Sequence, residues 1–206
     1  MNDTRSRILD ESLILFSEKG YGEVSINDIA NAVGIKGPSV YKHFSSKREI
    51  FDSIISMMSD RYDRMMSNLG IDGTDPCKDS DFFNNVDEDR LVEMGRSLFL
   101  YFLEDDNNSE FRRMLSIGRY SDPELDRIYH QQYIDLPLAY QTEIFRRMLL
   151  HNRVDGDPES MALEFYCPMF VLLISCDTDP SRKQTALESV ERHIREFGRV
   201  HFRGIR

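Results

Sequence analysis

Apolar side chains recur every three or four residues along most of the chain, which is the spacing of one face of an α-helix. The first such stretch runs from Arg5 to Lys19 and is followed by Gly20, a residue that suits the left-handed turn at a helix end. Its apolar face consists of Ile8, Leu9, Leu13 and Phe16. No convincing strand-like alternation interrupts the helical pattern, so the sequence predicts an all-α fold.

Two shorter helices follow. Ser25 and Asp28 form a capping-box pattern that predicts the start of the second helix, and Gly34 predicts its end. The apolar positions of this helix are Ile26, Ile29, Ala30 and Val33. Pro38 suits the first turn of a short third helix, which we expect over Ser39 to Phe44.

A longer fourth helix is predicted where Ser46 and Glu49 form a second capping box. The polar, acidic segment from Gly70 to Asp89 then predicts a flexible loop. Further helices are expected at about 90–104, 109–117, 124–152, 158–176 and 181–198. Aspartate–proline pairs at 122–123 and 157–158 favour helix starts, whereas Pro137 and Pro168 predict kinks or breaks.

Composition restricts the class of protein. The 206 residues are 40% hydrophobic, which is too apolar for a disordered chain. The three cysteines, Cys77, Cys167 and Cys176, form no CxxC pair, which favours free thiols in a reducing cytoplasm over a disulfide scaffold or a zinc site. Acidic residues interrupt the early apolar stretch, and the longest later run is shorter than a membrane span. We therefore expect a cytoplasmic protein with no membrane partner, cofactor or metal.

The net charge of −10 argues against nucleic acid, but the charge is distributed unevenly. Between Ile29 and Arg48 there are four basic residues and no acidic one. Within this stretch a short glycine-containing turn joins the second and third helices, as in a helix-turn-helix. Val40 and Phe44 can face the core, which leaves hydroxyl, aromatic, amine and imidazole groups outside. Such groups suit phosphates and base edges.

The run Val24-Ser-Ile-Asn-Asp-Ile-Ala-Asn-Ala-Val-Gly-Ile-Lys-Gly-Pro-Ser-Val-Tyr-Lys-His-Phe-Ser-Ser-Lys-Arg-Glu-Ile-Phe51 resembles the DNA-binding region of the TetR family of bacterial transcriptional regulators. The joint spacing of Ile29-Ala30, Gly34, Tyr41, Phe44 and Lys47 makes the resemblance specific over about the first 50 residues. Beyond them only the helical layout and the length agree.

The resemblance implies a two-domain homodimer that binds a palindromic operator in double-stranded DNA. Residues 1–46 would form the helix-turn-helix domain, and residues 47–206 a C-terminal helical bundle for ligand binding and dimerisation. The positions that it assigns to DNA binding are Ser25, Lys36, Gly37, Ser39, Tyr41, Lys42, His43 and Lys47. Lys36 stands where the family often has a Ser or Thr cap, so we expect that cap hydrogen bond to be missing.

Two further residue sets are candidates in the C-terminal part. An apolar pocket for an unknown small-molecule effector would be lined by Met58, Tyr62, Met65, Met94, Phe99, Phe102, Met114, Tyr129 and Tyr133. A dimer interface between the last two helices of each chain would contain Phe165, Met169, Leu172, Leu187, Val190, Ile194 and Phe197. Both sets have the spacing of ordinary helix cores as well.

The functional prediction is a DNA-binding repressor that a small molecule releases, although activation stays open. Enzyme signatures for di-iron bundles, zinc proteases, serine hydrolases and nucleotide binding are missing from the sequence. The alternative is a helical protein-binding adaptor without DNA activity. An adaptor would explain the acidic bundle but not the acid-free third helix.

Overall fold

The computed structural model describes residues 2–203, with side chains from residue 4 onward. Within this range the chain is helical apart from turns and one antiparallel bridge between Val154 and Phe202, which confirms the predicted all-α class. The helices are α1 (Asn2–Lys19), α2 (Ile26–Val33), α3 (Gly37–Val40), α4 (Lys47–Leu69), α5 (Pro76–Asn85), α6 (Glu88–Glu104), α7 (Asp106–Gly118), α8 (Pro123–His130), α9 (Leu136–Leu150), α10 (Pro158–Thr178) and α11 (Lys183–His201). A π-helical turn (Gln131–Asp135) and a 3-10 turn (Pro180–Arg182) precede α9 and α11.

Packing divides the chain into two units. Unit 1 contains residues 1–62 and 106–129, and unit 2 contains residues 63–105 and 130–206. The division therefore falls within α4, whereas the sequence predicts a functional boundary after residue 46. The boundary after residue 46 divides the chain by function, between the sequence predicted to bind DNA and the residues predicted to bind a ligand, and it stays a prediction.

Unit 1 is built on α1, which packs against α2 and α7. All four apolar residues predicted for the inner face of α1 are buried. Gly20 has a φ of +83° and its N–H donates to the carbonyl of Phe16, so the predicted helix end is confirmed. The core of this unit also takes in Ile50, Phe51 and Ile54 from α4.

The caps of α2 are those that the sequence predicts. The Ser25 hydroxyl accepts from the N–H of Asp28, and the Asp28 carboxylate accepts from the Ser25 N–H at 2.8 Å. The hydrogen bonds from Ser25 lower the pKa of Asp28. At the other end Gly34 adopts the left-handed conformation, and its N–H donates to carbonyls of the last turn.

The cap of α4 differs in detail from the predicted capping box. The Ser46 hydroxyl accepts from the N–H of Glu49 at 3.1 Å, as expected. The Glu49 carboxylate, however, reaches one residue further and accepts from the N–H and the hydroxyl of Ser45. Ser45 and Ser46 thus together fill the role that one residue has in the predicted capping box, with hydrogen bonds running in both directions between the serines and Glu49.

The prediction of a flexible loop from Gly70 to Asp89 is wrong, because α5 occupies its middle. The Asp75 side chain caps this helix, and Pro76 follows in the first turn. Asp79 is buried and accepts from the N–H groups of Asp72 and Gly73 and from the hydroxyl of Tyr140 on α9. A distant tyrosine therefore anchors a segment whose composition alone favours a loop.

Unit 2 is centred on α6, α10 and α11. Helix α9 packs against α10, and α5 packs against α9. Gly95 marks a close approach of α6 to α11, because a Cβ atom there would lie 2.2 Å from Cδ1 of Ile194. By length and composition alone α10 would suffice to cross a membrane, a test that core helices of soluble proteins also pass. Within unit 2 it packs along α6, α9 and α11. It continues through Pro168 without a break, so of the two predicted outcomes only a kink stays a prediction.

The helix predicted over 124–152 is helical from 123 to 150, with a π-helical turn just before Pro137 and no break at this position. A proline has no N–H to donate to the carbonyl four residues earlier, and here that carbonyl belongs to Tyr133. The Tyr166 hydroxyl of α10 donates to this oxygen at 2.8 Å. The chain makes the adjustment with the π-helical turn that leads into α9.

Candidate nucleic-acid interface

The third helix is shorter and begins earlier than the sequence predicts. Its α-helical part is Gly37–Val40, after which turns continue to Phe44. The Lys36 side chain makes no cap hydrogen bond, as expected for this substitution. A Cβ atom at Gly37 would lie 2.6 Å from the Asn27 side-chain oxygen, so the glycine permits the close contact between α2 and α3.

The two faces of this segment differ sharply in exposure. Val40 is 0% exposed and Phe44 is 2% exposed, so both pack inward as predicted. Tyr41 is 56% exposed and therefore projects outward. Exposure of the remaining candidates is high or intermediate: Lys36 and Lys42 are exposed, and Gly37, Ser39 and His43 are half-buried.

Two cations join elements of the helix-turn-helix by donating to backbone carbonyls. Arg7 of α1 donates to the carbonyl of Val33 at 2.6 Å, at the negative end of α2. Lys47 donates to the carbonyls of Tyr21 and Val24, both at 2.8 Å, and to that of Gly22 at 3.3 Å. Burial lowers the pKa of Lys47.

Lys47 has a structural role in this conformation, and the phosphate contact predicted for it stays a prediction. Its ammonium lies 4.5 Å from the centre of the Tyr21 ring, and three carbonyls occupy its three N–H groups. Lys47 thus ties the turn after α1 to the start of α4, which the sequence did not reveal because its partners are backbone groups 23 to 26 residues away.

Arg48, the next residue, has carboxylate partners. Its Nε donates to Asp52 at 2.8 Å, and its two terminal nitrogens form a bidentate pair with Glu124 at the start of α8. The pKa of Glu124 is lowered chiefly by this contact. Of the four basic residues in the acid-free stretch, only Lys36 and Lys42 thus have side chains directed to solvent without a described ion pair within residues 4–203.

Ser25 has a defined structural role. Its hydroxyl and N–H are both engaged with Asp28 in the capping box, at 2.5 and 2.8 Å. The residue is exposed nevertheless, so a phosphate contact through Ser25 stays a prediction.

The residues predicted to line a ligand pocket are distributed over both units. Met58, Tyr62, Met114 and Tyr129 belong to unit 1, and Met65, Met94, Phe99, Phe102 and Tyr133 belong to unit 2. Phe99 and Phe102 pack into the cluster formed by α6, α10 and α11. Phe99 and Phe102 are thus core residues, which is the alternative that their helical spacing left open. A ligand-binding role for the whole set stays a prediction.

The predicted dimer seam on α11 is occupied within the chain itself. Leu187, Val190, Ile194 and Phe197 are at most 5% exposed, because they pack against α6, α9 and α10 of unit 2. Phe165, Met169 and Leu172 are half-buried against the same clusters. The four α11 side chains therefore have little surface left for a second copy, whereas the three α10 side chains keep part of theirs. A role of the set in a dimer interface stays a prediction.

The outer face of α10 is apolar as well, and the sequence analysis missed it. Leu163 is 51% exposed, Val171 58% and Ile174 38%, and Cys167 lies between them in the same stripe. The only signal in the sequence is that α10 is apolar on all sides, whereas a helix with a solvated face has polar residues there. Such a contiguous apolar patch is typical of an interaction surface.

Comparisons with known proteins agree with this geometry. Residues 8–54 match the family described as "Bacterial regulatory proteins, tetR family". The biofilm operon icaADBC HTH-type negative transcriptional regulator IcaR of Staphylococcus aureus (strain Newman) is 36% identical over 74 residues. That match covers 33% of this chain and 40% of the relative, so the chain is compared with less than half the length of IcaR.

Solved structures match over nearly the whole length. A putative TetR-family regulator from Mesorhizobium loti has a TM-score of 0.69 at 20% identity, covering 98% of both chains. The triclosan complex of SmeT, the repressor of the Stenotrophomonas maltophilia multidrug efflux pump SmeDEF, has a TM-score of 0.67 at 18% identity. It covers 98% of this chain and 93% of SmeT. At these identities the likeness shows the fold.

Proposed function

We propose that this protein is a cytoplasmic transcriptional repressor that a small molecule releases from DNA, because residues 8–54 match the TetR family of regulators and the described chain has the fold of TetR-family structures. The observation that carries the proposal is the outward face of the third helical segment. There Tyr41, Lys36 and Lys42 are exposed over a buried base of Val40 and Phe44, in a stretch without acidic residues.

Two copies of this segment read the operator in the proposed arrangement. A two-fold dimer presents two identical recognition segments, and successive major grooves on one face of DNA are about 34 Å apart. The operator is therefore an inverted repeat with that spacing or a multiple of it. Lys36 and Lys42 contact phosphates, whereas Tyr41 and His43 reach base edges or sugar–phosphate groups.

The dimer forms through the outer face of α10. Leu163, Val171 and Ile174 supply an apolar surface there, and removing it from water favours association. The residues predicted for the dimer interface pack in the core beneath this face, between α10 and α11 and their neighbours. They are Phe165, Met169, Leu172, Leu187, Val190, Ile194 and Phe197.

Release by a ligand is supported by the similarity to SmeT, whose structure holds triclosan. The effector binds among the methionine and aromatic residues predicted for this role, whose adaptable side chains suit an apolar molecule. It releases DNA only to the extent that it prefers the conformation with poor groove spacing. Repression, as opposed to activation, is supported by the similarity to IcaR, which is described as a negative regulator.

Binding to DNA from upstream of the protein's own gene tests this function. The assay uses purified protein at about 150 mM salt with excess random competitor, because sequence-independent binding weakens steeply with salt. Competition-resistant binding of one dimer per site is the expected result. A folded dimer that binds neither this region nor the neighbouring promoters would overturn the repressor proposal in favour of the protein-binding adaptor.

Cross-linking tests the proposed dimer face separately. Cys167 is exposed in the middle of the α10 stripe, and Cys77 is the other exposed thiol. In a Cys77→Ser variant, a short bis-maleimide should join two chains through Cys167, and the Cys77→Ser, Cys167→Ser double variant should stay uncross-linked. A dimer in solution that gives no cross-linked species would place the interface elsewhere.

A further inference from the structure

Arg48 has an unusual position for a residue with carboxylate partners. It is the second residue of α4, and only Ser45 and Ser46 separate α4 from the end of the recognition segment at Phe44. N–H groups at the first turn of a helix of this length favour an anion, and a guanidinium there adds a fork of donors that matches a phosphate. The position thus suits a DNA backbone contact.

In this conformation the Arg48 side chain contacts two carboxylates. Its Nε lies 2.8 Å from an oxygen of Asp52 and one terminal nitrogen lies 2.7 Å from Glu124, to which the other terminal nitrogen is also bonded. Both partners belong to the same unit as Arg48. Two carboxylates on one guanidinium leave an excess of negative charge beside the first turn of α4.

These contacts are of a kind that can be exchanged. The Arg48 side chain is 50% exposed and that of Glu124 is 38% exposed, and ion pairs at such exposure contribute little to stability. A phosphate offers the guanidinium the same bidentate geometry as a carboxylate. Lys47 next to it differs, because its donors are fixed on backbone carbonyls inside the domain.

We propose that Glu124 is an autoinhibitory partner of Arg48: the carboxylate occupies the guanidinium that would otherwise bind a DNA phosphate at the start of α4. The proposal rests on the DNA-binding function above and adds a control on it. Any event that moves the start of α8 away from Arg48 increases affinity for DNA of every sequence, and any event that strengthens the pair decreases it.

The test measures binding of full-length variants to a random-sequence duplex by fluorescence anisotropy. Glu124→Gln keeps the shape of the side chain and removes its charge, so it should increase affinity. Because each protomer of the dimer contacts one more phosphate, the slope of log affinity against log salt should steepen by about two units. The gain should therefore be about tenfold larger at about 50 mM than at about 200 mM salt.

Two control variants separate this pair from general charge effects. Asp126→Asn removes the same charge from α8, and the described ion-pair partner of Asp126 is Arg119. It should leave the salt slope unchanged. Glu124→Gln combined with Arg48→Ala should show no gain over Arg48→Ala alone, since no guanidinium is released. Glu124→Ala provides a second removal of the carboxylate, and thermal unfolding of each variant verifies that it is folded.

The outcomes are distinct. A gain in Glu124→Gln or Glu124→Ala that depends on Arg48 and is missing in Asp126→Asn supports the pair as a brake. Affinity equal to wild type in both Glu124 variants, an equal gain in Asp126→Asn, or a gain that survives Arg48→Ala overturns it. If the wild-type protein binds no duplex DNA at about 50 mM salt, the proposed function fails first, and the pair loses its role with it.

Discussion

The exposed faces of α3 and α10 are built on the same plan with opposite chemistry. Each rests on buried apolar residues, Val40 and Phe44 under α3 and Leu173 under α10. Outside, α3 and the turn after it present lysines, an aromatic hydroxyl and an imidazole, whereas α10 presents leucine, valine and isoleucine. Burial under a helix thus tells which side faces the core, and only the chemistry of the outer side tells what kind of partner it fits.

A charge placed on the α10 face should have the largest effect. Val171→Glu introduces a carboxylate that two-fold symmetry places twice in the interface, where unpaired buried charges are costly. We expect the dimer affinity to fall by about a hundredfold or more, which sedimentation velocity over a concentration series would measure. Leu150→Glu is the matched control, because Leu150 is 77% exposed on α9 outside the stripe. An unchanged dimer in Val171→Glu would contradict the assignment of this face.

Removing the aromatic ring from α3 should have the next largest effect. Tyr41→Ala deletes one contact per half-site, and each good contact to a base is worth about 1–3 kcal/mol. Two half-sites give a loss of operator affinity of at least about 30-fold, measured by gel shift or anisotropy, while the dimer and its melting temperature stay unchanged. Tyr41→Phe shows how much of the effect comes from the hydroxyl. Normal operator binding by Tyr41→Ala would contradict the outward role of this residue.

Substitution of Lys42 and of Lys47 should change different quantities, the salt dependence of DNA binding for Lys42 and the stability of the fold for Lys47. Lys42→Ala should weaken binding to specific and random DNA alike and reduce the salt slope by about two units, one for each protomer of the dimer, with no change in stability. Lys47→Ala should lower the free energy of unfolding by about 1–2 kcal/mol, because three carbonyls lose their donor. Its salt slope should stay at the wild-type value. The reverse pattern, a changed slope and unchanged stability in Lys47→Ala, would restore the phosphate contact expected from sequence.

The smallest expected effect comes from a residue that touches neither face. Ser12 of α1 is fully buried, and its hydroxyl has no hydrogen-bond partner within the described part of the chain. Ser12→Ala removes this unsatisfied group and should raise the free energy of unfolding by about 1 kcal/mol, as measured by urea denaturation, with unchanged DNA binding and unchanged dimerisation. Ser17→Ala is the comparison, since the Ser17 hydroxyl donates to the Ile14 carbonyl and its loss should not stabilise the protein. A destabilised Ser12→Ala variant would show that the hydroxyl has a partner in solution.

The sequence predicts those parts of the molecule that local contacts determine. The caps at Ser25 and Gly34 involve groups within four residues of each other, and the inward positions of Val40 and Phe44 follow from helical spacing. The prediction for the cap of α4 is nearly right for the same reason. Helix starts at aspartate–proline pairs also agree with the structure, as at Asp157.

Contacts between distant residues explain what the sequence does not predict. The order of residues 76–85 depends on Asp79 meeting Tyr140, 61 positions away. Lys47 is drawn to the carbonyls of the turn after α1, and a cation at a helix start gives no sign of such partners. On α11 the spacing of Leu187 and Ile194 shows that they share a face, but it does not say whether that face meets the chain's own helices or a second copy.

The contact of α6 with α11 makes substitutions at positions 95 and 194 depend on each other. At position 95 a methyl group would occupy the space of Cδ1 of Ile194, which is itself fully buried. Gly95→Ala therefore requires the Ile194 side chain to shift, whereas Ile194→Val removes that carbon and costs only about 1 kcal/mol on its own. The two substitutions should therefore be coupled, because Gly95→Ala is expected to cost less stability in an Ile194→Val background than in the wild type.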